Sequence, residues 1–181
     1  MIKMIATDID GTLVKDGTLI IDPEYMTVIS KLIDKGIIFT VCSGRQFSSE
    51  QKLFAPIKDK LMYITDGGTV VRTPDKILKT YPMSAALWKD MCRMVRDELP
   101  ACDYFAATPD LCYAEDGASP IFHRLRDSYG FEMREVDDLT KLENDDIIKF
   151  TVYHPTACEE LCSPHFIPSW KDKAHVTSAG T

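Results

Sequence analysis

Met1-Ile2-Lys3-Met4-Ile5-Ala6-Thr7-Asp8-Ile9-Asp10-Gly11-Thr12 is the stretch on which the fold of this 181-residue chain turns. Residues 1–6 make a short apolar run that reads as a buried strand. Two carboxylates follow, Asp8 and Asp10, one residue apart and directly ahead of Gly11. Burying an unpaired charge is costly, so acids set against a core strand imply that something binds them. At the carboxyl end of a parallel strand they stand where open α/β sheets place their ligands. With Ile9 pointing the other way, both acids are expected to overhang one crevice.

The spacing also has a chemical logic. Asp8 suits a nucleophile, because carboxylates form aspartyl-phosphates. Asp10 suits a proton donor and acceptor. Two acids repel a dianionic phosphate unless a divalent cation bridges them, and an all-oxygen donor set favours Mg²⁺. Gly11 lets the backbone turn close to a substrate, and Thr12 fixes the loop through its hydroxyl.

Downstream, the chain alternates strand and helix signals. Residues 14–20 carry a hairpin signal, Asp16-Gly17 between β-prone residues. Asp22 and Pro23 open a helix that Gly36 closes, with Met26, Ile29 and Ile33 on its core face. Residues 36–42 are a continuous apolar run, the pattern of a strand covered on both faces. The run ends in Ser43-Gly44-Arg45 ahead of a helix over about 46–55, an arrangement that cradles phosphate. A third strand over 60–65 runs into Asp66-Gly67-Gly68, and two β-prone pieces follow at 69–72 and 77–80. This order predicts an α/β fold with a doubly wound parallel sheet.

From Pro82 the pattern changes. A helix to about Pro100 carries Leu87, Met91, Met94 and Val95 on one face, with Trp88 beside them. Strands are expected at 102–107 and 111–115, then a helix from Ser119-Pro120 to Gly130. An acid-rich link over 135–146 reads as a solvated face. A strand at 147–153, a helical region at 156–171 broken by Pro164 and Pro168, and a β-like stretch at 175–178 complete the chain. His154, Cys158, Cys162 and His165 have spacings that allow a Zn²⁺ site. Pro155 and Pro164 interrupt that helix, and cysteines four apart also form an ordinary buried stripe.

Composition bounds the function. The net charge of −7 and the lack of a basic cluster exclude a nucleic-acid footprint. The first apolar run is too short for a signal peptide or membrane span. Six cysteines, at 42, 92, 102, 112, 158 and 162, without a secretory signal read as reduced cytoplasmic thiols.

The residues Asp8-Ile9-Asp10-Gly11-Thr12-Leu13-Val14 resemble motif I of the haloacid dehalogenase (HAD) superfamily. The second acid matters: dehalogenases lack it and P-type ATPases carry Thr there, so Asp10 resembles the phosphatase and phosphomutase branches. Ser43 at this distance resembles motif II, where it would hydrogen-bond the phosphoryl group, with Gly44 and Arg45 beside it. Asp66-Gly67 departs from the Asn-Gly usual in the subgroup. The second half resembles the α/β cap of Cof-type (type IIB) phosphatases.

The resemblance implies a Rossmann-like HAD core over 1–82, incomplete at its C-terminal half, and an inserted cap over 83–181. It implies Mg²⁺ on Asp8 and Asp10, catalysis by the same pair, and phosphate or substrate binding by Gly11, Thr12, Ser43, Gly44, Arg45, Asp66 and Gly67. The expected activity is hydrolysis of a small phosphorylated metabolite through an aspartyl-phosphate. The motif III lysine and the motif IV acids are not found, so a truncated chain with impaired turnover and a bare edge on the first strand is expected. The alternatives are a phosphomutase, a non-catalytic phosphometabolite-binding or assembly module, and a zinc-stabilised interaction domain. Partners are a small phosphorylated metabolite and, through the bare edge, a second copy of the chain.

Overall fold

The computed structural model describes residues 2–15, 18–143 and 146–178. Its first sheet has the strand order β1-β2-β3-β4-β5. Strands β1 (Met4–Thr7), β2 (Ile38–Cys42) and β3 (Met62–Thr65) are parallel, with Ala6 opposite Thr40 and Thr40 opposite Met62. The parallel set stops there. Asp66, Gly67 and Gly68 all have positive φ (53°, 73° and 94°). Three left-handed residues in a row turn the chain back, so β4 (Val70–Arg72) and β5 (Ile77–Thr80) join antiparallel. The sheet is therefore mixed rather than wholly parallel.

Helix α1 (Pro23–Asp34) begins where Asp22 accepts the Glu24 N–H at 2.9 Å, and Gly36 takes φ 80° just beyond its end. Helix α2 (Phe47–Leu53) follows β2. Ile29 of α1 and Phe47 and Leu53 of α2 share one core with Phe39, Val41 and Tyr63. The alternate positions are open: Met4 is 53% exposed and Ile38 47%. The apolar run in β2 thus lacks, at its start, the two-sided cover expected of it, and β1 is the sheet's edge.

The second sheet has the order β8-β7-β6-β9, formed by β6 (Asp103–Ala107), β7 (Cys112–Ala114), β8 (Met133–Glu135) and β9 (Lys149–Tyr153). Helix α3 (Ala85–Glu98), capped by Ser84, packs on it through Trp88 and Cys92, beside Ala106, Leu139 and Ile147. Helix α4 (Pro120–His123) runs on as a π-helical turn to Ser128. Strand β8 and the buried Leu139 lie at or within a segment expected to be a solvated face. A leucine spaced singly among acids is a weak signal until a sheet supplies its partner. A π-helical turn over Cys158–Cys162 runs straight into α5 (Ser163–Trp170), so neither Pro164 in its first turn nor Pro168 inside it breaks the helix as expected. Residues 175–178 form no strand. Asp16 and Gly17 of the expected hairpin lie outside the described residues.

Candidate active site

Strand β1 delivers the acids. It ends at Thr7, after which Ile9 is wholly buried and the flanking Asp8 and Asp10 point away from that core. Ile9 O accepts from Thr12, Leu13 and Val14 N–H groups at 3.1, 2.8 and 3.1 Å, and Gly11 takes φ 75°. That knot makes the loop rigid directly under the acids. Asp8 is exposed, and Thr12 Oγ1 donates to its Oδ2 at 3.4 Å.

Asp10 is held by Arg45. The guanidinium donates from Nε to Oδ2 at 2.8 Å and from Nη2 to Oδ1 at 2.6 Å. Nη2 also donates to Thr18 O at 2.8 Å, and Nη1 to Ser49 Oγ at 3.4 Å. Arg45 is 2% exposed. It therefore holds Asp10 and the loop after it.

Ser43, at the end of β2, accepts the Arg45 N–H on its Oγ at 3.1 Å, which leaves the hydroxyl hydrogen available for an anion. Gly44 is exposed. The Asp66-Gly67 turn is stitched to the same loop: Asp66 N–H donates to Arg45 O at 2.9 Å and Gly67 N–H to Ser43 O at 3.0 Å. The backbone of that turn thus belongs to the site. Its Asp66 side chain is buried, accepts from Thr65 Oγ1 at 2.9 Å, and leaves Oδ1 without a partner among the described residues. Burial lifts its pKa to about 6, against the opposing pull of Lys149 and Arg72.

Two residues beneath the site were missed in the sequence. Glu50 is fully buried with neither carboxylate oxygen partnered among the described residues. Desolvation, reinforced by Asp66, pushes its pKa well up. Its signal was a charge on the apolar stripe of α2, three residues from Phe47 and three from Leu53. Gln46, also fully buried, gave no signal because its partners lie far along the chain.

Hard oxygen donors suit Mg²⁺, and the exposed Asp8 carboxylate is free to take one. Asp10's carboxylate is occupied by Arg45, which leaves its main-chain carbonyl. Among the described residues no group of three or more His, Cys, Asp or Glu side chains gathers to hold a metal. Such a sparse protein set fits an ion that keeps several waters and substrate oxygens. The Zn²⁺ site that the spacing of His154, Cys158, Cys162 and His165 allowed is not assembled among the described residues. His154 Nδ1 accepts from Thr156 and Ala157 N–H groups at 3.3 and 3.0 Å, and Cys162 Sγ contacts Cys102 Sγ at 3.3 Å.

A parallel-strand sheet that ends in two acids, faced by a serine at the next strand's end, defines a class. The family of haloacid dehalogenase-like hydrolases matches residues 5–181, and the chain belongs to it. A crystal structure from Eubacterium rectale is 79% identical, with a TM-score of 0.87 over 99% of this chain and 68% of that one. The 5-amino-6-(5-phospho-D-ribitylamino)uracil phosphatase YbjI of Escherichia coli (strain K12) is 25% identical over 146 residues. That match covers 79% of this chain and 52% of YbjI, so the chain spans about half the length of this curated relative. A HAD subclass IIB sugar phosphatase shares the fold at 16% identity and a TM-score of 0.66, over 83% of this chain and 58% of that one. No helix among the described residues is long and apolar enough to cross a membrane.

Proposed function

We propose that this chain carries the nucleophile, the acid–base residue and the cap of a Mg²⁺-dependent phosphomonoester hydrolase of the Cof type. The observation that carries the reading is the exposed Asp8 two residues before an Asp10 fixed by Arg45, with the Ser43 hydroxyl on the adjoining strand end. The family match and the phosphatase relatives support it. The second sheet is the cap in this reading, and the substrate is a small phosphorylated metabolite such as a sugar phosphate.

Asp8 attacks phosphorus in line and becomes an aspartyl-phosphate. Asp10, both of whose oxygens lie in the Arg45 fork, turns out of it to protonate the departing substrate oxygen. The same residue then takes a proton from the water that cleaves the acyl-phosphate. Ser43 Oγ and the loop amides hold the equatorial oxygens where charge spreads. Asp8 and the Asp10 carbonyl would hold Mg²⁺, which neutralises charge on the phosphoryl oxygens when bound.

The test uses the 181-residue chain with Mg²⁺. Beryllofluoride, a mimic of a phosphoryl group on a carboxylate, is expected to bind the wild type and not Asp8→Asn. Phosphate release from a panel of phosphomonoesters, lost in the same variant, supports full turnover. A wild type that neither binds beryllofluoride nor releases phosphate sinks the reading.

A further inference from the structure

Three consecutive residues just ahead of α2 meet the cap. Lys149 Nζ, from β9, donates to Gly44 O at 2.9 Å. The Arg45 guanidinium carbon lies 5.0 Å from the centroid of the Tyr129 ring. Gln46 makes the closest engagement: its Oε1 accepts the Glu132 N–H at 2.6 Å, while its Nε2 donates to Glu132 O at 3.4 Å. Ser48 Oγ donates to the same Oε1 at 2.6 Å, and Cys112 Sγ lies 3.6 Å from Nε2. The amide reads both main-chain groups of one cap residue, which is what a neighbouring strand does in a ladder.

We propose that Gln46 is a positioning residue: by clamping Glu132 it ties the Ser43-Gly44-Arg45 loop, and through Arg45 the side chain of Asp10, to the docked cap. Only the word cap and the role of Asp10 rest on the hydrolase reading; the mechanical link does not.

The seat around the clamp is close-fitting. Lys52 Nζ donates to Gly130 O at 2.7 Å and pairs with Glu132 Oε1 at 2.8 Å, and Ser48 Oγ reaches Gly130 O at 3.3 Å. Gly130 has φ 72°, and a Cβ there would stand 2.9 Å from Lys52 Cδ and 3.2 Å from Leu19 Cδ1. Leu19 follows Thr18, whose carbonyl Arg45 also holds. The Lys52–Glu132 pair is about half-exposed on both sides, so water screens it and it contributes little. The Gln46 amide is wholly buried; without it the Glu132 N–H loses its acceptor, while Glu132 O keeps the Cys112 N–H at 2.9 Å. The clamp, and not the ion pair, therefore decides whether the cap's seat and the loop move together. The bland alternative is an anchor for the cap that leaves the acids untouched.

Two variants separate them. Gln46→Ala removes both amide contacts. Gln46→Glu keeps the shape: protonated, it still offers a donor for Glu132 O and an acceptor for Glu132 N–H; ionised, it has no donor and faces Glu132 O, with the Glu132 carboxylate and Asp66 against it and Lys52 and Lys149 opposing. Hydrogen exchange at 8–14, 43–45 and 129–133, and affinity for inorganic phosphate with Mg²⁺, are compared with wild type at about pH 5 and about pH 8. Gln46→Ala is expected to speed exchange in all three segments at both pH values, with phosphate bound about tenfold more weakly. Gln46→Glu is expected to match wild type at the lower pH and Gln46→Ala at the higher. Should Gln46→Ala fail to fold, the pH response of Gln46→Glu decides alone. Faster exchange confined to 129–133, with 8–14 and 43–45 at wild-type rates, overturns the proposal. A wild type that binds no phosphate counts against the hydrolase reading, while the exchange data still decide the link.

Discussion

Arg45 grips Asp10 with two parallel hydrogen bonds, at 2.8 and 2.6 Å, across 35 residues of chain. Bidentate pairing fixes the orientation of a carboxylate as well as its place. The fork is sheltered, with Arg45 2% and Asp10 24% exposed at the side chain. It therefore joins the two strand-end loops that make the candidate site.

Removing one partner strands the other. Arg45→Met should destabilise the chain by about 2–3 kcal/mol, since breaking a sheltered pair leaves an uncompensated charge. The double variant Arg45→Met/Asp10→Asn should regain at least half of that loss. Urea unfolding of the four members of the cycle measures it. Single losses that simply add in the double variant would show that the fork contributes nothing to the fold.

Asp66 makes stability fall as pH rises. Burial moves its carboxyl from 3.8 to about 6, so the folded chain holds the proton more tightly than the unfolded chain. The contribution is fully present below about pH 4, is lost as pH climbs to about 6, and amounts to ~3 kcal/mol. Glu50, shifted in the same direction, adds to the slope. Asp66→Asn abolishes the charge, and asparagine tolerates the φ of 53° found here. The variant should melt higher than wild type at about pH 8 and equally at about pH 4. The same difference at both pH values would refute the assignment.

The edge strand is the third handle. Ile2, Met4 and Ile38 are 67%, 53% and 47% exposed along β1 and the start of β2. We expect the isolated chain to self-associate there, because an unpaired, apolar edge templates pairing. Met4→Lys, on the edge strand itself, should weaken association in sedimentation velocity without lowering the melting temperature. A wild type that stays monomeric at about 100 μM removes this expectation.

Much of the fold was legible because its signals are local. Asp22-Pro23 and Gly36 bracket α1, and Ser119-Pro120 opens α4, since caps act within a turn of the helix end. The mixed sheet was less legible. Glycines at 67 and 68 announce a turn, but which edge the chain rejoins depends on the sheet already present. Strand β8 is short and carries Arg134 and Glu135; only its pairing with β7 makes it a strand. Asp8, Asp10 and Ser43 stand just past the ends of β1 and β2, where strand-end position and residue chemistry had put them, whereas the partner of Asp10 was not foreseen.

By itself the sequence determined where strands end, which acids stand at those ends, and which chemistry two carboxylates and a serine suit. These follow from backbone preference and side-chain chemistry, which act over a few residues. Tertiary structure alone decided that Arg45 serves Asp10, that Asp66 and Glu50 are buried, and that Gln46 clamps a residue 86 positions away. Those outcomes depend on which surfaces meet when the sheets close, and contacts between distant residues leave no periodic trace in the chain.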